Sequence, residues 1–121
     1  MMIKQTLLKG IKMSNLIYYK LDDNKNVVPV TAQEAHDILM SGEKSIVKQD
    51  LINTFFVSTV FLPINHNYNP LTNYNPPIVF ETMIYNETDG YWLDYQERYS
   101  TWKEAEEGHE RAVQWVKEGC K

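Results

Sequence analysis

The chain is nearly without cysteine, poor in glycine and, outside one short region, almost without proline. A single cysteine, Cys120, among 121 residues rules out an intramolecular disulfide and any CxxC metal site, in keeping with a reducing cytosol. Its place one residue from the end points to an exposed thiol on a frayed terminus, not to a nucleophile. Cationic charge is also in short supply. Twelve Lys and Arg stand against sixteen Asp and Glu, for a formal net charge of -4, and the basic residues are scattered, so nothing builds the cationic face that phosphate contacts need.

Long apolar runs are missing too. None approaches the roughly eighteen residues that cross a bilayer, and the opening MMIKQTLLKGIKMSN has neither an apolar h-region nor a small-residue cleavage site. The expectations are no nucleic-acid partner, no membrane association and a cytoplasmic location. Without secretion the glycosylation pattern Asn86-Glu87-Thr88 carries no meaning. No glycine-rich phosphate cradle, Ser-His-Asp arrangement or nucleotide motif occurs, so no cofactor is expected.

What is present suits one domain. Apolar residues make up 43% and charged residues 23% of the chain, ordinary for a globular protein able to bury a core at this length. The codons for Lys9-Gly10 would read as a purine-rich run just upstream of Met13, like a bacterial ribosome-binding site before a start codon. Residues 1–12 are therefore expected to be a disordered or dispensable N-terminal extension, with a single α+β domain over 13–121.

Strand formers in LIYYKLDD lead into the turn chemistry of DDNKN, and VVPV follows as an edge segment because of Pro29. Thr31 and Glu34 have capping-box spacing; Ala32, Ala35, Ile38 and Leu39 share a helical face, and Gly42 stops the helix. SIVKQDLI, TFFVSTVFL, IVFETMIY and YWLDYQERY read as four further strands, with NETDG as the turn before the last. The closing STWKEAEEGHERAVQWVKEG reads as a helix with a second capping box at Thr101 and Glu104. Its apolar stripe is Trp102, Ala105, His109, Ala112 and Val116, widened by Val113. The expected fold class is α+β: an antiparallel β-meander of four to five strands, a short helix between early strands, and a C-terminal helix packed on the sheet.

Four of the five prolines lie in one loop, Pro63 to Pro77, with five asparagines, Tyr68, Tyr74 and His66. Centring that loop on Pro70 pairs Val60 with Phe80, Ser58 with Thr82, and Thr59 with Glu81. A loop of this length is functional or a tolerated insertion. Its tyrosines offer contact area at low entropic cost, so His66, Tyr68 and Tyr74, with Thr59, are the candidate binding residues.

Glu81 interrupts an apolar strand. It is either an acid/base or ligand-anchoring group whose partners are Thr59, His109 or Arg98, or a structural polar pin. His109, on an apolar stripe beside the permissive Gly108, is open to the same two readings. His66, His109 and Glu81 would make a two-histidine, one-carboxylate set, but no HxH, HExxH or CxxC spacing supports it, and no metal is expected.

The segments VSTVFL, HNYN, PPIVFETM and ERYSTWKEAEEGHE resemble those of a family of small uncharacterised proteins encoded in phages and prophages, over roughly residues 14 to 117. Ser58, Thr59, His66, Glu81, Thr82, Arg98, Tyr99 and His109 match that family's motif positions, although its hairpin loop is shorter and glycine-rich. The resemblance implies a phage accessory protein and supplies no mechanism. The leading expectation is a binding module for a host protein or small molecule, in host takeover or anti-defence, with homodimerisation through an uncovered sheet face as a further option. The alternative is a small enzyme, a hydrolase or transferase, using Glu81 with His109 or His66; a virion component is a third reading.

Intact-mass measurement of the natively expressed protein is expected to show a chain beginning at Met13; a chain beginning at Met1 would remove the start-site reading.

Overall fold

Turn chemistry and helix caps divide the described residues into eight elements. The structure, a computed structural model, describes residues 18–41, 45–65 and 76–120. The chain splits into two compact units, Met1–Lys44 with Pro63–Val79, and Ser45–Leu62 with Phe80–Lys121. Gly42, His66, Tyr68 and Tyr74 lie outside the described residues.

In the first unit, β1 (Tyr19–Leu21) and β2 (Val27–Pro29) form an antiparallel pair. Asp22 closes the turn between them: its Oδ1 accepts the backbone N–H of Asn24 at 2.8 Å and of Asn26 at 2.9 Å. The Asn26 N–H foremost among these contacts holds the Asp22 carboxyl below its ordinary value. Helix α1 (Ala32–Met40) starts at Thr31, whose hydroxyl accepts the Glu34 N–H at 3.1 Å. Only that half of the expected box forms; the Glu34 carboxylate lies 3.8 Å from Lys20 Nζ instead. Of the four residues expected on the apolar face only Ala35 is buried, and Leu39 is 55% exposed. Nine residues give such a helix little over two turns to bury.

The second unit is a four-stranded antiparallel meander, β3 (Ile46–Ile52), β4 (Phe55–Phe61), β5 (Phe80–Asn86) and β6 (Tyr91–Tyr99), in sequential order. Helix α2 (Trp102–Lys117) contacts all four strands. This is the expected α+β arrangement. Asn53, at φ 56°, makes the tight β3–β4 turn that asparagine tolerates. The β5–β6 turn is closed by Asn86, whose side chain meets Asp89 at 2.9 Å and the Thr88 N–H at 3.0 Å, with Gly90 at φ 77°.

The expected strand register is off by one. The structure pairs Phe61 with Phe80, Val60 with Glu81, Thr59 with Thr82, and Ser58 with Met83. A one-residue slip exchanges the faces of a strand. Val57, Thr59, Phe61, Phe80, Thr82 and Ile84 are accordingly buried, whereas Glu81 keeps partial exposure on the other side. Both faces of these strands are largely apolar, so alternation alone did not fix the phase. On that face the Glu81 carboxylate, its side chain 13% exposed, is compensated by Arg98 and Gln96.

Helix α2 has both halves of its box: the Thr101 hydroxyl accepts the Glu104 N–H at 3.1 Å, and Glu104 Oε1 accepts the Thr101 N–H at 3.2 Å. Its end is a Schellman motif, with Gly119 N–H to Val116 O at 3.0 Å and Cys120 N–H to Trp115 O at 2.9 Å. Cys120 is thus half-buried against the core of Val57, Ile84, Ala112, Val113 and Val116, not frayed as expected, because the motif folds the chain end back onto the helix.

Gly108 is the point of closest approach. A methyl group there would overlap Tyr99 at Oη, Cζ and Cε1. Gly to Ala inside a helix ordinarily stabilises by about 0.5–1 kcal/mol, but overpacking of a tight site costs about 1–3 kcal/mol. Gly108→Ala is therefore expected to lower the urea midpoint, and Tyr99→Phe to give no rescue, since the overlapping ring carbons remain. A stabilised Gly108→Ala would show that the contact yields.

Candidate functional site

Helix α2 brings His109, Glu110 and Arg111 over one cross-strand row. That row is Lys48, Thr59, Thr82 and Glu97, one residue from each strand. Its charged ends meet the helix: Lys48 Nζ donates to Glu110 Oε2 at 2.7 Å and Arg111 Nη2 donates to Glu97 Oε1 at 2.9 Å. The hydrogen bond to Glu110 raises the Lys48 ammonium, and the one to Glu97 raises the Arg111 guanidinium.

Between those ends the polar groups are sealed. His109, Thr59 and Thr82 have no exposed surface. His109 Nε2 lies 2.7 Å from Asp50 Oδ2 and its Nδ1 lies 2.8 Å from Thr59 Oγ1. The Thr59 hydroxyl meets that of Thr82. Tyr99 Oη lies 3.0 Å from Thr82 Oγ1 and 2.9 Å from Glu97 Oε1. Burial pushes the Tyr99 hydroxyl well above its ordinary value, an effect that the Thr82 hydrogen bond opposes and the Glu97 contact adds to. The phenol therefore stays protonated and serves as a donor. The result is one continuous line, Asp50–His109–Thr59–Thr82–Tyr99–Glu97, entering at one partly exposed carboxylate and leaving at another.

Glu81 and His109, joined in the sequence reading, are not brought together. Glu81 lies on the opposite face, where its Oε2 accepts Gln96 Nε2 at 2.7 Å and Arg98 Nε at 3.1 Å. Arg98 was among its expected partners; Thr59 and His109 were not met because the register differs by one. This separation removes the pairing of Glu81 with His109 as acid and base. Thr59, expected as a binding residue, has its hydroxyl engaged inside the line and presents nothing to a partner.

Asp50, Tyr99 and Glu97 were missed as members of the line. The strand break that conceals Asp50 is a bulge between Ile46 and Lys48, which shifts the phase of β3. A signal was available: threonines at 59 and 82 with a histidine on the helix stripe require polar ends somewhere. Among the described residues no three His, Cys, Asp or Glu side chains converge on a metal position, and no helix is long and apolar enough to cross a membrane.

The face away from α2 is built differently. Leu51, Phe56, Tyr85 and Trp92 form one complete row across the four strands. Leu51 is 56% and Trp92 53% exposed, and the Tyr85 and Trp92 rings meet edge to face at 5.2 Å. Next to it run Gln49, Ser58, Met83 and Gln96, then Val60, Glu81 and Arg98. An apolar strip thus borders a polar one carrying an ion pair.

No protein-family model, curated protein or solved structure matches this chain.

Thr59→Val leaves His109 Nδ1 without a partner and should cost about 1–3 kcal/mol. The Glu81 side chain is 13% and its partner Arg98 40% exposed; Glu81→Gln retains an oxygen for Gln96 and Arg98 and should cost about 1 kcal/mol, less than the loss at Thr59. Chemical denaturation of both variants checks the order; a more damaging Glu81→Gln would reverse the assignment of the structural centre.

Proposed function

We propose that the protein is a non-enzymatic binding module that engages a protein partner through the open face of its sheet. The observation that carries this is the registered row Leu51–Phe56–Tyr85–Trp92. A row of large apolar side chains, exposed at Leu51 and Trp92 and half-buried at Phe56 and Tyr85, has the composition of a contact surface, with Trp and Tyr as typical anchors. The buried line under α2 supports the same reading from the other side: its hydroxyls and imidazole contact one another inside the protein, and only its end carboxylates, Asp50 and Glu97, are partly exposed.

The phage context implied by the sequence resemblance makes a protein of the bacterial host the partner, met in the host cytoplasm, with host takeover or anti-defence as its consequence. Tyr68 and Tyr74 in the 63–77 loop are the second candidate contact, on the composition of that loop alone. A second copy of the chain is the remaining occupant for the open face.

Capture from host lysate, with light scattering of the isolated protein beside it, tests the reading. Leu51→Ala with Trp92→Ala should reduce capture at least about tenfold, as loss of an anchor costs about 2 kcal/mol, with little change in melting temperature. Capture that survives this pair but falls with Tyr68→Ala and Tyr74→Ala would move the contact to the loop. A dimer broken by Leu51→Ala with Trp92→Ala would make the partner a second copy, and capture indifferent to both pairs would overturn the proposal.

A further inference from the structure

The meander ends on one side at β3, and among the described residues no backbone bond falls on the outer edge of that strand. Two bonds show which residues face outward. Phe61 N–H donates to Ser45 O at 2.8 Å, which turns Phe61 toward β3, and Thr54 O accepts the Glu87 N–H at 2.8 Å, which turns Thr54 toward β5. Backbone groups alternate in direction along a strand, so Val57 and Thr59 also bond β3. Their partners Asp50 and Lys48 spend their backbone groups inward. Gln49 and Leu51 therefore turn N–H and C=O out to the open edge.

Open edges are usually blunted. The far edge, β6, is bent by a bulge in which Leu93, Asp94 and Tyr95 stand opposite Ile84 alone. In β3 the bulge lies at the start, between Ile46 and Lys48, and the strand pairs regularly from Lys48 to Ile52. Along that run Lys48 and Asp50 share the α2 side, where they meet Glu110 and His109, and both reach solvent.

We propose that two copies of the chain join edge to edge through antiparallel β3 strands, about a two-fold axis at Gln49, into one eight-stranded sheet. A two-fold axis across an antiparallel pair sets one residue opposite its own copy. Lys48 or Asp50 at the axis would set like charges against each other, which is destabilising. An axis nearer the start falls on the bulge, and one at Leu51 or beyond overlaps only the last residues of the strand. Gln49 at the axis uses the outward groups of both copies and sets each Lys48 opposite Asp50 of the second copy. The edge is thus self-complementary, as a two-fold contact requires. Both side chains have capacity to spare: the ammonium has three donors, of which Glu110 takes one, and Asp50 gives Oδ2 to His109 and keeps Oδ1.

The same pairing accounts for Leu51. Its row is half-buried at Phe56 and Tyr85 and exposed at its ends, where a neighbouring strand is lacking. A second β3 beside the first covers Leu51 from the side. Both α2 helices then lie on one side of the joined sheet, and the two open faces merge on the other. This inference goes beyond the face contact proposed above and does not rest on it, because it uses the edge and leaves Trp92 free.

Sedimentation equilibrium of the full chain reads the association, and thiol crosslinking reads the edge. The Gln49 pair at the axis is hydrogen-bonded, about 5.5 Å apart at Cα, within the reach of a disulfide. Gln49→Cys in a Cys120→Ser background is expected to crosslink as a dimer on oxidation, and Asp94→Cys, on the far edge, is not. Lys48→Glu should weaken the dimer at least about tenfold, Lys48→Arg should retain it, and Trp92→Ala should leave it unchanged. A chain that stays monomeric at the highest concentration it tolerates would overturn the proposal. So would crosslinking at Asp94 instead of Gln49, or a dimer indifferent to Lys48→Glu. A dimer lost in Trp92→Ala would also overturn it and assign the association to the open face. Capture of a host protein is read separately, so the two proposals fail independently.

Discussion

The complete pairing of a row of polar groups beneath α2 is the constraint on which the rest of the meander depends. A hydroxyl or imidazole without water and without a partner costs on the order of 1–3 kcal/mol, and four such side chains meet between the sheet and α2: Thr59, Thr82 and Tyr99 from the strands and His109 from the helix. Their bonds are made only at one strand register and one helix position. A slip of β4 against β5 by one residue would carry Thr59 and Thr82 to opposite faces and leave His109 over apolar side chains. Apolar packing tolerates repacking with small losses. The line does not, and it therefore supplies the uniqueness that a sheet apolar on both faces lacks.

The apolar groups flank this row instead of forming one uniform layer. On one side lie Val57 and Ile84 with Ala112, Val113 and Val116, bordered by Leu93, Tyr95 and Trp115. On the other, Phe80 packs edge to face with Phe61 at 5.3 Å and with Trp102 at 6.3 Å. The small residues Ala105, Gly108 and Ala112 let α2 sit low enough for His109 and Tyr99 to reach the threonines. Glycine at 108 is thus a consequence of the polar row: the ring that carries the donor to Glu97 needs the space that a Cβ would fill.

Much of this frame was legible in the sequence, and the limits have physical causes. Helix α2 announced itself through Thr101, Glu104 and a stripe that included His109, because capping and 3.6-residue periodicity are local properties. The turn at Asn86 to Gly90 was legible for the same reason. Register is not local. FFVSTVF offers apolar side chains to both faces, and a long loop gives no geometric tie between its ends, so the centre of the loop was a poor guide to pairing. Asp50 was obscured by a bulge that changes which face its strand presents. Helix α1 misled in the opposite way: its spacing was right, but Leu39 and Met40 remain exposed at 55% and 70%, since periodicity states which residues share a face and not whether anything covers it.

The same pairing logic separates the two faces of the sheet by purpose. Beneath α2 the contacts form a closed set, Asp50 and Glu97 being the points at which it touches solvent. Across the sheet, Glu81 is held by Gln96 and Arg98 at the border of an apolar strip. The glutamate that interrupts an apolar strand therefore has a structural explanation: in the observed register it is the residue that makes one face unsuitable for burial under a helix. The polar line draws α2 to one face and the Glu81–Arg98 pair marks the other, where the ends of the apolar row, Leu51 and Trp92, stay exposed because the helix is already committed elsewhere.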